Sequence, residues 1–239
     1  MSSDVRHLLE PVEDGPLNAM LMAGTGKIHR EAERVPFMVA FFKGELSRAQ
    51  YAEYLSRLLP VYAALEETAA ALADDPALGT LYAPELFRSE GLRADIAVFA
   101  PGSDLAQETP ASKAYAERIR EVAGTPGWIA HQWLRYLGYV MGQELLRNLT
   151  RKSFGDDATL AFYDFPEIGV PIEYLRGYHG KMNAIPLTPE QKMEVVDEGY
   201  RAFQLNIGLT EELAADFGIG TASESETDEL LDDLKAQHP

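Results

Sequence analysis

The sequence contains no cysteine, so disulfide bonds, thiolate metal sites and cysteine nucleophiles are excluded for this chain. It also lacks a long apolar run. The run from Val35 to Phe42 is interrupted by Pro36 and falls far short of the ~20 residues that a membrane-spanning helix needs. The first 15 residues lack the basic start and apolar core of a signal peptide. We therefore expect a cytoplasmic protein with no membrane segment.

Basic residues are few: 21 Lys and Arg stand against 38 Asp and Glu, which gives a formal net charge of −17. Proteins that bind nucleic acid need clustered Lys and Arg to displace counterions, so we expect no nucleic-acid partner. An anionic membrane surface would repel the chain as well. The 239 residues, 46% of them hydrophobic, are enough to bury a sizeable core.

Strand-like alternation is also missing, and apolar residues recur instead at helical spacing between short Pro and Gly breaks. A first helix is predicted from Pro16 to about Arg34, before Pro36 ends it. A second, long helix is predicted to follow the polar cap Ser47, with a kink at Pro60. Further helices are predicted at Pro84–Phe99, Ser112–Ala123, Trp128–Lys152, Pro171–Asn183 and Thr188–Phe217.

These signals predict a single all-α domain of seven or eight helices over residues 17–217. Residues 1–16 are interpreted as an N-terminal arm. Residues 218–239 form an acidic tail with little apolar content, which we expect to be disordered or a short, loosely docked helix.

Histidine is scarce, with five in the chain, and His29 on the first predicted helix has Glu33 four residues later on the same face. Such a carboxylate can hold one ring nitrogen, directly or through water, and leave the other free to bind iron. A simple surface contact between the two side chains explains the spacing equally well.

Gly138 and Gly142 lie on one face of the predicted helix Trp128–Lys152, where each costs about 1 kcal/mol relative to alanine. The missing side chains let either a flat ligand or another helix approach the backbone. Close helix packing or a kink is one interpretation. A flat porphyrin between the His29 helix and this helix would explain both features.

Residues 25–33, which contain His29, and residues 37–44 resemble the proximal helix segment of haem oxygenases. Shorter segments resemble the family in its order and spacing, and with these the resemblance covers residues 17–217. The shorter segments are 61–67, 82–86, 130–131, 135–138, 162–168 and 202–206.

The resemblance implies a helical fold that holds haem b between a proximal and a distal helix. His29 matches the family's axial ligand of the haem iron, and Glu33 matches the carboxylate that interacts with that ligand. Gly138 and Gly142 fall on glycines that lie over the distal face of the haem. His131 matches a histidine that we expect to be structural. Aromatic positions of the same pocket carry Trp133 and Phe203.

On the distal side, Tyr62, Arg135 and Asn206 fall on members of a polar network that holds water. The family's aspartate in that network is Tyr139 here, and the glycine after Gly142 is Gln143. The Tyr139 hydroxyl could hold a water with Arg135 and Asn206, its phenolate could bind iron, or its ring could fill the site and slow the enzyme. We favour the first outcome.

The family's basic residues that commonly bind the haem propionates are replaced in this sequence by Met22, Leu175 and His179. Arg176, one residue from the expected position, and His179 itself are the candidate substitutes, because two carboxylates need cationic or hydrogen-bonding partners. Lys27 and Arg30 are the next candidates.

The function implied is that of a haem oxygenase, in which dioxygen and electrons from a ferredoxin or reductase convert haem to biliverdin, Fe²⁺ and CO. Tyr139 and the missing propionate-gripping bases leave open a haem-binding carrier or sensor with weak or no ring opening. A di-iron oxidase is the third alternative, but the Glu-x-x-His pairs typical of that class are missing from the sequence.

Overall fold

The computed structural model describes residues 13–102, 108–155 and 160–237. Within these ranges every regular element is helical, which confirms the all-α prediction. Most of the predicted arm, residues 1–16, lies outside the described residues. The helices are α1 (Leu17–Glu33), α2 (Pro36–Lys43), α3 (Arg48–Ala71), α4 (Ser89–Phe99), α5 (Pro110–Glu121), α6 (Trp128–Gln132), α7 (Gly138–Phe154), α8 (Pro171–Ala184), α9 (Pro189–Phe217) and α10 (Glu224–Gln237).

Local capping fixes the start of the two longest helices. At α3, the Ser47 hydroxyl accepts from the Gln50 main-chain N–H at 3.2 Å, and the Gln50 side chain accepts from the Ser47 N–H at 2.8 Å. Thr188 and Gln191 form the same reciprocal pair at the start of α9. α3 then runs through Pro60 as one uninterrupted helix.

The region after α1 contains a helix that the sequence analysis missed. Pro36 ends α1, as predicted, but it also begins α2, because proline is favourable at the first position of a helix. Phe37 and Phe41 of α2 are buried in the core. Gly44, with φ of 74°, ends the helix in the left-handed conformation that glycine adopts easily.

The prediction of one helix over Pro84–Phe99 is wrong for residues 84–88. Pro84–Leu86 forms a single 3₁₀ turn, and α4 begins only at Ser89. The reason lies in α3, where Glu66 Oε1 accepts from the main-chain N–H groups of Arg88 and Ser89, each at 2.7 Å. This carboxylate satisfies free donors at the start of α4 and so fixes where the helix begins.

The predicted helix Trp128–Lys152 is divided. α6 and α7 are separated by a π-helical turn, Trp133–Leu137, that widens the helix directly before Gly138. π-helical turns inside longer helices occur often at functional sites. Here the turn contains Arg135, one of the predicted distal residues.

The acidic tail forms α10 over Glu224–Gln237 and docks on the domain. Thr227 and Leu231 of α10 are buried, and α10 packs against α2. Arg34, which follows α1, forms an ion pair with Asp228. The tail is therefore tied to the end of the helix that carries His29, and only residues 238–239 lie outside the description.

α1 packs closely along α9 because Gly199 has no side chain. A Cβ atom at this position would come within 2.8 Å of Leu21 Cδ2 and 3.3 Å of Thr25 Cγ2. One turn further along both helices, the rings of His29 and Phe203 meet edge to face, with centroids 5.5 Å apart. The small residue on α9 thereby sets the position of His29.

Glu198 joins three helices next to this contact. Its carboxylate accepts from Arg118 Nε at 2.9 Å and Nη2 at 2.6 Å on α5, and it lies 3.0 Å from His131 Nε2 on α6. Burial by itself would raise the pKa of the Glu198 carboxyl, but the bonds from Arg118 and His131 lower it below its usual value. Burial lowers the pKa of His131, which keeps that ring neutral at pH 7.

Replacing Glu198 with glutamine is expected to lower the free energy of unfolding by about 2–3 kcal/mol. Breaking a fully buried ion pair costs roughly 3–5 kcal/mol, and Arg118 keeps 23% of its side chain exposed. The stability from the lowered pKa is present above the usual glutamate pKa of about 4.3 and is lost as the pH falls through the folded value.

Urea unfolding at pH 7 measures this effect. Glu121→Gln is the matched control, because Glu121 also accepts from Arg118, at 2.8 Å, but is largely exposed. The control is expected to lose less than about 1 kcal/mol. Equal losses in the two variants would contradict the structural role assigned to Glu198.

Candidate haem site

His29 is available as a ligand on α1. Its side chain is 56% exposed, and Nδ1 lies 3.9 Å from Glu33 Oε1. This distance is too long for a direct hydrogen bond, so a hydrogen-bonded link between the two side chains would need a bridging water. Glu33 Oε2 is buried without a hydrogen bond to any described residue. The helix thus holds an accessible imidazole beside a carboxylate with unused acceptor capacity.

The glycines of α7 are not explained by packing between helices. A Cβ atom at Gly138 would meet no atom within 4 Å, and one at Gly142 would make an ordinary 3.6 Å contact with Leu146 Cδ1. Met141, between them, is among the most exposed large apolar side chains of the described residues. The structure therefore favours an open glycine face on α7, as a flat ligand requires, over close helix packing.

Arg135 is the centre of a buried polar cluster. Its Nη1 donates to Asn206 Oδ1 at 2.6 Å, and its Nη2 donates to the Tyr139 hydroxyl at 3.3 Å. The residue is 2% exposed, and its guanidinium carbon lies 5.1 Å from the Tyr139 ring centroid. Arg135 therefore contacts two of the other predicted distal residues, Tyr139 and Asn206, through its side chain.

Tyr62 joins this cluster differently from the other three. Its hydroxyl donates to the main-chain carbonyl of Arg135 at 3.0 Å, and its ring lies under the guanidinium at 5.1 Å. Burial raises the pKa of Tyr62, and the attraction of Arg135 offsets this only in part. Tyr62 therefore keeps its proton and holds the π-helical turn in place.

The predicted aromatic residues lie between α1, α9 and the π-helical turn. Phe203 is buried with Ile28, Ala32 and Tyr200, and half-buried Trp133 packs against this group. Apolar side chains therefore surround His29 on the side of α9, where they limit access of water to the ring.

The candidate propionate partners lie on α8. Arg176 is exposed and His179 is half-buried, and burial lowers the pKa of the His179 ring. His179 is four residues before Asn183, whose side-chain amide donates to Asn18 Oδ1 of α1 at 2.9 Å. This face of α8 therefore borders α1. Leu175, in contrast, is buried in the core, and Met22 is exposed.

The sequence analysis did not assign Tyr54 of α3 to the distal cluster. Its hydroxyl lies 2.9 Å from that of Tyr139. The bond joins residues 85 positions apart, so no local spacing could indicate it.

No group of three or more His, Asp or Glu side chains in the described part of the chain is arranged to hold a metal ion. The di-iron alternative therefore gains no support from the structure. No helix of the described residues is long and apolar enough to cross a membrane.

Comparison with known proteins identifies the family of the chain. The family model described as "Heme oxygenase" matches residues 16–212. Among curated relatives, Heme oxygenase 1 of Rattus norvegicus is 36% identical over 207 residues, which cover 83% of this chain and 72% of the relative. Heme oxygenase 1 of Synechocystis is 34% identical over 203 residues, which cover 82% and 84%.

Solved structures give the same result for the fold. Heme oxygenase-1 from Synechocystis, solved in complex with heme, superposes with a TM-score of 0.79 at 32% identity and covers 86% of this chain and 97% of its own. Heme oxygenase from Leptospira interrogans superposes with a TM-score of 0.79 at 28% identity, with coverage of 83% and 100%.

The helical fold and the family match define a protein of the haem-degrading oxidoreductase class. The chain belongs to the haem oxygenase family.

Proposed function

We propose that this protein binds haem b between α1 and α7 and cleaves it to biliverdin, Fe²⁺ and CO, with dioxygen as co-substrate. The open glycine face of α7 is the observation that carries the proposal, because a Cβ atom at Gly138 would meet no atom of a packed neighbour within 4 Å. The exposed imidazole of His29 and the unpaired carboxylate oxygen of Glu33 supply the chemistry that a haem ligand needs.

Bound haem is both cofactor and substrate, and its iron supplies the centre at which dioxygen is activated. His29 would supply a ring nitrogen to the haem iron. Glu33 accepts from the other ring nitrogen through water and so fixes its tautomer. Trp133 and Phe203 keep the surroundings of the ring apolar, which strengthens these polar contacts.

On the distal side, Arg135 and Asn206 hold the Tyr139 hydroxyl in position. A tyrosine hydroxyl both donates and accepts hydrogen bonds, so Tyr139 can anchor water there in place of a carboxylate. Tyr62 fixes the turn that bears Arg135. Replacement of the family's aspartate by Tyr139 changes the hydrogen bonds offered to that water, and we propose that it does not abolish ring opening.

Arg176 and His179 are proposed as the propionate partners, and the double alanine variant is expected to bind haem about tenfold more weakly. Charge-assisted hydrogen bonds to a carboxylate are strong, and a tenfold change corresponds to about 1.4 kcal/mol. Because burial lowers the pKa of His179, its ring acts as a neutral donor at pH 7 and Arg176 supplies the charge.

Haemin titration followed by absorption measures this effect. Lys181→Ala is the matched control, because it removes an exposed positive charge from the same helix. Unchanged affinity and unchanged biliverdin isomers in the double variant would reject both residues, and Lys27 and Arg30 would then be tested.

Electrons are proposed to come from a ferredoxin or a reductase, and the cytoplasm is the proposed compartment. The experiment adds haemin to the purified apo-protein, records the spectrum, and then supplies a ferredoxin system or ascorbate. The Soret band is expected to decay into a biliverdin-like product. A stable haem complex would instead favour a carrier or sensor, and the lack of any haem spectrum would reject both functions.

A further inference from the structure

Tyr54 brings a second phenol to the distal network. It lies on α3, is 4% exposed, and its ring packs against Phe37, Phe41 and Tyr51. Its hydroxyl oxygen is 2.9 Å from the hydroxyl oxygen of Tyr139 on α7. The two phenols thus form a direct hydrogen bond between α3 and α7.

Burial decides which of the two hydroxyls donates. Burial raises the pKa of Tyr54, so this residue keeps its proton. The hydrogen bond that the described residues offer it is the one with Tyr139. A buried donor without an acceptor costs more than an unused lone pair on an oxygen. The favoured direction is therefore from Tyr54 to Tyr139.

Arg135 occupies a second position on the same oxygen. Its Nη2 donates to the Tyr139 hydroxyl at 3.3 Å, from a side chain that Asn206 holds at 2.6 Å. A hydroxyl has two lone pairs and one proton. With Tyr54 and Arg135 both donating, the lone pairs are occupied, and only the O–H remains free for another group. Tyr139 is half-buried and directly follows Gly138, the first residue of the open glycine face of α7.

We propose that Tyr54 is a positioning residue that makes Tyr139 a hydrogen-bond donor toward the distal face of the haem. The proposal rests on the haem site described under Proposed function. A carboxylate at position 139 could only accept a hydrogen bond from distal water, whereas Tyr139 presents a proton to it. Two donors to its oxygen also strengthen the O–H as a donor, because hydrogen bonds in a chain polarise one another.

A double-mutant cycle on the apo-protein tests the bond without haem. Tyr139→Phe leaves the buried Tyr54 hydroxyl without its acceptor, and we expect the Tm to fall by about 2–4 °C. Adding Tyr54→Phe should recover the part of this loss that comes from the Tyr54 hydroxyl, because removing both partners of a buried bond is nearly neutral. The part that comes from Arg135 Nη2, which also loses the Tyr139 oxygen, should remain.

Tyr51→Phe is the matched control. It removes another buried hydroxyl from α3, but one that makes no hydrogen bond to Tyr139 in the described structure. It should recover nothing in the Tyr139→Phe background. Additive losses for Tyr54→Phe and Tyr139→Phe would overturn the proposal.

The C–O stretching frequency of carbon monoxide on the reduced haem complex tests the direction of the bond. A donor aimed at the bound CO lowers this frequency, and a lone pair aimed at it raises it, because each changes the charge that the CO oxygen can hold. We expect Tyr139→Phe to raise the frequency. Tyr54→Phe should raise it less, with a broader band, since the hydroxyl then loses its fixed orientation.

These measurements distinguish a failure of the Tyr54 proposal from a failure of the proposed haem function. A lower C–O frequency in Tyr54→Phe would mean that Tyr139 donates to Tyr54 in the wild type. An unchanged band would mean that Tyr54 serves packing only. Either result overturns the proposal. Failure to form a haem complex would reject the proposed function, while the apo-protein cycle would still decide whether the bond exists.

Discussion

Haemin added to the His29→Ala variant is expected to give no spectrum of a histidine-ligated iron. In the described structure the other histidines are His131, which is buried against Glu198, and His179 on α8. Neither lies on α1, so neither can replace the lost ligand. Ring opening should fall more than about 100-fold, since loss of a ligand's outer partner alone costs roughly 10–100-fold.

Two further measurements separate ligation from folding. Imidazole added to His29→Ala should enter the vacated position and restore the histidine-type spectrum. Glu33→Gln should keep that spectrum and lower activity by about tenfold, because the amide is a weaker acceptor for the ring N–H. A His29→Ala variant with the wild-type spectrum would show that another group binds the iron.

Gly142→Leu is expected to weaken haem binding more than tenfold and to leave the fold intact. The branched side chain would extend from the glycine face of α7, where a Cβ atom alone makes one ordinary contact with Leu146. Leucine also favours the helical backbone over glycine by up to about 1 kcal/mol, so the Tm should stay the same or rise.

Circular dichroism and haemin titration check this pair of expectations. Gly142→Ala is the graded control, because its methyl group fits at 3.6 Å and should reduce affinity far less than leucine does. Parallel losses of helix content and haem affinity in Gly142→Leu would mean that the glycine serves packing after all.

Helix starts were predictable where the signal is local. Ser47 caps α3 through a partner three residues away, and Thr188 caps α9 in the same way. The start of α4 was not predictable, because Glu66 of α3 fixes it from 22 residues away. The π-helical turn before Gly138 has no local marker within it either, since Trp133–Leu137 contains neither proline nor glycine.

In the candidate site, too, local features were predictable from the sequence and contacts between distant helices were not. His29 with Glu33, and Gly138 with Gly142, lie at helical spacings that can be read within one helix. The bond between Tyr54 and Tyr139 depends on how α3 packs against α7, so the sequence alone left the role of Tyr139 open. The Tyr62 hydroxyl contacts the main chain of Arg135, which the resemblance to the family did not predict.

Carbon monoxide release from the haem complex is the most direct measurement of the central claim. The complex is reduced under dioxygen by a ferredoxin system, with catalase present to remove free peroxide, and the CO is trapped and counted. We predict one CO for each haem lost, together with biliverdin. A haem complex that stays intact, or loses its haem without releasing CO, would contradict the assignment of this chain as a working haem oxygenase.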